Sequence, residues 1–180
     1  MRKIKFVLLG VIVVGLAFGG YPLCREAQAR VVLEGVDGPF KTYHPNGKVY
    51  KEGGYKDDRP DGRFTTYYEN GNLQEERNFR DGKDDGPYRL YYENGQLQEE
   101  GFFRGGKKDG LYRIFSKNGK LSQEKTFSNE ELEGSFKKYN DNGKLESDIT
   151  FSNGKKYGPY KVYNEKGDLK EERYFKDEKL

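Results

Sequence analysis

The chain has 180 residues, 35% charged and 33% hydrophobic, too polar to wrap a thick apolar core. Aromatics reach 15% (15 Tyr, 12 Phe) and glycine 24 residues, which excludes a disordered chain and a helical bundle and suits a turn-rich β protein. The formal net charge of +3 lies in residues 1–29, where Arg2, Lys3, Lys5 and Arg25 outnumber Glu26; the remainder carries 29 charges of each sign and lacks the basic excess of a nucleic-acid-binding surface.

The chain opens with three cations and continues as an uncharged, mostly apolar run from Phe6 to Leu23. Residues 1–29 therefore read as a signal peptide or an N-terminal membrane anchor, a hydrophobic helix just long enough to span a bilayer. Ala27-Gln28-Ala29 supplies an A-x-A cleavage site, with Arg25 and Glu26 intruding before it. The positive-inside bias puts the rest on the non-cytoplasmic side in either case. The expected localisation is the cell envelope: periplasmic, extracellular, or anchored in the inner membrane and facing outward. Cys24 is the only cysteine, so no disulfide framework exists; Tyr21-Pro22-Leu23 before it is a poor acylation motif. Residues 30–37 read as a linker.

From residue 38 onward one unit recurs six times. Turn glycines stand at Gly47, Gly71, Gly95, Gly119, Gly143 and Gly167, always 24 residues apart. Asn46, Asn70, Asn94, Asn118 and Asn142 precede the first five, and Lys166 the last. A second column, Gly38, Gly62, Gly86, Gly110, Gly134 and Gly158, keeps the same interval. In the third unit PYRLYY and QLQEEGFF flank Asn94-Gly95, two β-prone runs joined by a turn dipeptide. Each unit is a predicted β-hairpin closed by a two-residue type I′ turn, for which Asn and Gly both tolerate positive φ. Lys166 fits that turn poorly, so the sixth hairpin is expected to fray first. The fold expected over 38–180 is all-β: an elongated single-layer antiparallel sheet of six tandem 24-residue hairpins, an array in which each unit packs on its neighbours.

The turn also sets a register. With Glu93 opposite Gln96, Arg89 faces Glu100; likewise Lys41 faces Glu52, Arg113 faces Glu124, Lys137 faces Asp148 and Lys161 faces Glu172, while Thr65 faces Glu76. The acid column is thus cross-strand pairing rather than catalytic carboxylates. Alternation assigns an apolar spine to one face, including Phe40, Phe64, Tyr88, Tyr112, Phe136 and Tyr160 with Tyr55, Phe79, Phe103, Phe127, Phe151 and Phe175. The second face carries Tyr43, Tyr67, Tyr91, Phe115, Tyr139 and Tyr163 among charges. Those rings recur every two strands, roughly 9–10 Å, beyond stacking distance, and are the candidate binding residues.

Tyr91-Tyr92-Glu93-Asn94-Gly95-Gln96-Leu97, with Gly82-Lys83 and Gly86 and their equivalents at 24-residue intervals, resembles the MORN repeat, in particular the bacterial MORN-repeat variant family. The resemblance covers about residues 36–180. It implies an elongated sheet of hairpins used for protein–protein contacts and, in some members, membrane association; some members are labelled antitoxin-like. Departures occur at Asn129-Glu130-Glu131-Leu132-Glu133, at Asp57-Asp58-Arg59-Pro60-Asp61 and in the final Lys176–Leu180 segment.

No catalytic constellation is expected. His44 is the only histidine, placed just before the first turn where capping or solvation suffices, and no nucleophile–base set or phosphate-cradling loop occurs. Asp81-Gly82-Lys83-Asp84-Asp85-Gly86 is acidic, but it contains a lysine and lacks EF-hand spacing, so no metal or cofactor is expected. Anionic-lipid binding is set aside because strand cations have acidic partners opposite them. The expected function is that of a non-catalytic exported or membrane-anchored repeat protein, holding a protein partner on an extended aromatic and charged sheet face. An antitoxin or immunity protein neutralising a cognate toxin is the alternative.

Overall fold

The computed structural model describes residues 37–179, with side chains through 176. The signal or anchor, Cys24 and all of the linker but Asp37 lie outside the described residues.

The described residues form one antiparallel sheet and no helix. Its strands are β1 (Gly38–Tyr43), β2 (Val49–Lys56), β3 (Arg59–Pro60), β4 (Gly62–Tyr67), β5 (Leu73–Arg80), β6 (Lys83–Asp84), β7 (Gly86–Tyr91), β8 (Leu97–Arg104), β9 (Lys107–Lys108), β10 (Gly110–Phe115), β11 (Leu121–Ser128), β12 (Glu131–Tyr139), β13 (Leu145–Ser152), β14 (Lys155–Tyr163) and β15 (Leu169–Lys179). Twelve of them follow one another across the sheet in chain order; β3, β6 and β9 are two-residue strands beside β2, β5 and β8. In the last two junctions that short strand is continuous with the next long one, giving β12 and β14. The six expected hairpins are β1–β2, β4–β5, β7–β8, β10–β11, β12–β13 and β14–β15.

The five charge pairs face each other as the register requires: Lys41↔Glu52, Arg89↔Glu100, Arg113↔Glu124, Lys137↔Asp148 and Lys161↔Glu172. Near each turn the register slips by one residue, so that Tyr91 pairs with Leu97.

The slip corrects the turn type. Tyr92 N–H donates to the Gln96 carbonyl (2.8 Å) and Gly95 N–H to the Tyr92 carbonyl (2.8 Å), closing a three-residue loop, Glu93-Asn94-Gly95. Gly95 has φ +84°, whereas Asn94 is not left-handed. This is the bulged hairpin form in which only the glycine needs positive φ. Asparagine serves otherwise: Asn94 Oδ1 accepts from Gln96 N–H (3.0 Å), and its Nδ2 donates to the Lys117 carbonyl of the next hairpin (3.1 Å). Lys166 therefore meets no backbone penalty. The sixth turn is capped by Asn164, whose Oδ1 accepts from both Lys166 N–H and Asp168 N–H at 2.9 Å, so the basis for expecting early fraying is gone.

The type I′ geometry occurs instead between hairpins. Asp57-Asp58, Asp81-Gly82, Gly105-Gly106, Asn129-Glu130 and Asn153-Gly154 are two-residue connections with positive φ at both positions. The second residue of four of them reaches back one repeat: Gly82, Gly106, Glu130 and Gly154 donate to the carbonyls of Pro60, Asp84, Lys108 and Leu132 at 2.7–2.9 Å. Both ends of every hairpin are thus free to be tied to a neighbour, while between β2 and β4 only Lys51↔Thr66 and Glu52↔Thr65 pair directly.

The spine face holds the core. Phe64, Tyr88, Tyr112 and Phe151 are buried. The rings meet within and between hairpins: Phe64–Phe79 at 4.9 Å, Tyr55–Phe64 at 5.7 Å, Tyr88–Phe103 at 5.6 Å and Tyr88–Tyr112 at 6.1 Å. A buried ring contributes about 1.5–3 kcal/mol and a tilted or edge-on pair about 0.5–1.5 kcal/mol more. Cations on this face sit on rings, and Arg77 also pairs with Glu75 and Asp84. Lys108 Nζ lies 4.3 Å from the Tyr112 ring centre, Lys125 Nζ 4.9 Å from Phe136 and Arg77 4.9 Å from Tyr88. Burial first, then the charge of Lys108, lowers the Lys125 ammonium from its ordinary range.

Two rings need glycine beneath them. A Cβ added at Gly53 would lie 2.7 Å from the Phe64 ring, and one added at Gly101 would lie closer still to the Tyr112 ring. Tyr112 is buried and cannot swing away without giving up its packing. Gly101→Ala is expected to cost about 1–3 kcal/mol and to lower the thermal midpoint by several degrees in a circular-dichroism melt. An unchanged midpoint would mean that the ring has room.

Candidate functional site

The face opposite the spine bears one row of side chains running across all twelve long strands: Lys41, Glu52, Thr65, Glu76, Arg89, Glu100, Arg113, Glu124, Lys137, Asp148, Lys161 and Glu172. Charge alternates at every step except Thr65. Each cation on an interior strand can therefore serve the acids on both sides. Arg113 does so, reaching Glu100 and Glu124 at 3.1 Å each. At Thr65 the missing cation is replaced from the next row, where Arg63 bonds Glu76; Arg89 approaches the same carboxylate from the other side at 3.7 Å.

The expected tyrosine column lies on this face beside the row, and the structure gives part of it internal work. Tyr67 Oη donates to Glu52 (2.8 Å) and Tyr91 Oη to Glu76 (3.1 Å), in each case a carboxylate of the preceding hairpin. Tyr67, Tyr91, Phe115, Tyr139 and Tyr163 are half-buried; Tyr43, on the first described hairpin, is 61% exposed. Burial first, then donation to Glu52, raises the Tyr67 hydroxyl; burial first, then the Glu124 charge, raises Tyr139. The column is therefore a set of staples at least at Tyr67 and Tyr91. His44 has a comparable role at the turn end: its Nε2 lies 2.8 Å from the Tyr67 carbonyl, and Tyr68 and Tyr92 hydroxyls donate to the equivalent carbonyls of Tyr91 and Phe115. It is not merely solvated.

The next row on the same face opens into a shallow furrow. One depression, of about 200 Å³, is lined by Pro87, Arg89, Glu100, Phe102, Leu111 and Arg113 among others; a second, of about 170 Å³, by Arg63, Glu76, Asn78, Pro87 and Arg89. Pro87 and Arg89 of β7 line both, so the two depressions flank β7 in the middle of the array. Phe102 and Leu111 are 38% and 41% exposed, apolar groups offered to solvent between charged walls. Both depressions are smaller than the roughly 300–1,000 Å³ of a small-molecule pocket. Neither residue was among the candidates from sequence, although the signal was present. Phe102-Phe103 and Leu111-Tyr112 are apolar pairs within strands, and alternation must send one member of each to the charged face.

The acidic loop has structural partners: Asp84 contacts Arg77 (3.2 Å), Asp85 contacts Arg80 (3.1 Å), and Asp85 Oδ1 accepts from Gly105 N–H. Among the described residues no cluster of three His, Cys, Asp or Glu side chains is gathered as metal ligands.

A single open sheet of register-locked hairpins, ringed on one face and charge-striped on the other, defines a tandem-repeat scaffold. The chain belongs to the MORN repeat variant family, whose model matches residues 36–57, 60–81, 84–104, 108–129, 132–153 and 156–177, one match per hairpin. No curated protein matches the chain.

The Glu52 site makes the staple testable by pH. Its carboxyl is held below its ordinary value by Lys41 and then by the Tyr67 hydroxyl. A depressed carboxylate stabilises the fold above its unfolded value, and that contribution is lost as pH falls through the folded one. Glu52→Gln is expected to lower the neutral-pH melting midpoint by about 1–3 °C, with the two curves converging as the pH drops below the carboxylate range. A gap independent of pH would assign the effect to packing.

Proposed function

We propose that the chain is a non-catalytic exported or membrane-anchored repeat protein that holds a protein partner on its charged face, centred on the furrow of the third and fourth hairpins. The carrying observation is the exposure of Phe102 and Leu111 beside Arg89, Glu100 and Arg113 in the middle of the array. Interfaces use this combination: an apolar anchor is desolvated, and surrounding arginines and acids fix orientation. The alternating row favours a partner that is itself of mixed charge, because a polyanion or polycation would be repelled at every second step. Support for export comes from the cations and the apolar run of residues 1–23.

A photo-cross-linking residue at position 111 or 102, introduced in living cells, is expected to capture the same discrete envelope protein, and the same residue at position 142 in an exposed turn is not. Leu111→Asp should abolish capture from position 102 while leaving the β-sheet circular dichroism unchanged. Identical capture from positions 111 and 142, or capture that survives Leu111→Asp, would contradict the furrow as the site.

A further inference from the structure

Among the described residues the sheet has two edges, β1 and β15, and over 38–43 and 169–175 both are built as interior strands. β1 carries Pro39 where interior strands carry Pro87 and Pro159, Phe40 where they carry Phe64, and Lys41 where they carry Arg89 and Arg113. β15 carries Glu172 in the column of Glu52, Glu76 and Glu100, and Phe175 in that of Tyr55 and Phe79. Pro39 does not blunt its edge, since Pro87 occupies the same place inside the sheet. Repeat arrays commonly end in atypical capping units, and sheet edges in bulges or added charge. β15 runs on through the charged residues Lys176-Asp177-Glu178-Lys179 where its interior equivalents turn; up to Phe175 neither device distinguishes the two strands from those equivalents.

The unmet contacts at the two ends are complementary. Tyr67 and Tyr91 each donate to a glutamate of the preceding hairpin; Tyr43, in the same column, stands exposed on β1. The glutamate of that column on the last described hairpin is Glu172 on β15, whose side chain is 52% exposed where that of Glu76 is 11%. The charge row begins with Lys41, held on its inner side by Glu52 at 2.7 Å, and ends with Glu172, held on its inner side by Lys161 at 3.6 Å. Lys41 and Glu172 occupy the first and last strands of a whole number of repeats, so a second copy placed beyond β15 continues the alternation and both faces in phase.

We propose that copies of this chain associate head to tail, β15 of one pairing antiparallel with β1 of the next. The register follows the interior junction, in which Lys51 pairs with Thr66 and Glu52 with Thr65. Glu171 then pairs with Thr42, and Glu172 with Lys41, of the next copy. Tyr43 of the next copy donates to Glu172, Lys41 gains the second acid that Arg113 already has, and the spine continues from Phe175 to Phe40. Such an interface joins unlike surfaces and generates an open-ended row.

Directional cross-linking tests it with the full chain in detergent solution, on a Cys24→Ser background. One population carries Thr42→Cys and another Glu171→Cys, the opposed pair beside Lys41 and Glu172, so that the charged contact is kept. Residues opposite one another on paired strands have Cα atoms about 4.5–5.5 Å apart, within the range a disulfide bridges. Mild oxidation of the mixture is expected to give a dimer on a non-reducing gel, at several times the yield of either population alone. A single chain carrying both cysteines should give a ladder of multimers. No dimer from the mixture, or equal dimer from each single population, would overturn head-to-tail pairing. The second result is what association through the apolar leader or through a symmetric edge contact would produce.

Discussion

The structure depends on an unbroken 24-residue period. Between the first four hairpins the direct pairing of the long strands is short: two residue pairs join β2 to β4, two β5 to β7 and two β8 to β10, whereas β11–β12 and β13–β14 pair over five. Side chains and turn amides supply the rest, and each must land on a particular atom of the neighbouring repeat. Asn46, Asn70 and Asn94 reach carbonyls 23 residues on; Gly82, Gly106 and Gly154 reach carbonyls 22 residues back. A side chain displaced by one residue would point to the other face, so these bonds exist only while the interval is held.

The two faces divide the work that a closed core would do alone. The spine face buries rings against rings, against glycine backbone at Gly53 and Gly101, and against the stems and charges of Lys108, Lys125 and Arg77. The charged face contributes less stability per contact, since its ion pairs are mostly solvated, but it lays out a regular field of alternating sign. The furrow breaks that field where two repeats place an apolar residue in the row beside it. MORN-variant repetition therefore provides the platform, and departures from repetition provide what is specific to this chain.

Much of the platform was legible in the residues themselves. Fixed glycine columns gave the hairpins, and period-two alternation gave the spine and the five cross-strand charge pairs. Turn chemistry was legible only in part. Asn-Gly carries the type I′ signal, yet the asparagine is used through its side chain and only the glycine turns left-handed. The true two-residue turns include Asp57-Asp58 and Asn129-Glu130, which contain no glycine to announce them. The Tyr67 and Tyr91 staples escaped because they join different hairpins, and a register read from one hairpin says nothing about the stagger of the next. Phe102 and Leu111 required only that the alternation be carried through, since each neighbours a spine residue.

The period is tested most directly by paired excisions compared by circular dichroism and thermal melting. Removing residues 82–105 joins Asp81 to Gly106, keeps an Asp-Gly turn and moves every later side chain by one whole unit. Removing residues 82–93 joins Asp81 to Asn94 and deletes β7, leaving β8 without its hairpin mate and its direction reversed relative to β5. The expected result is a shorter but cooperatively melting β-sheet from the first and loss of cooperative melting from the second. Equal folding of the two would contradict the claim that the 24-residue register holds the array together.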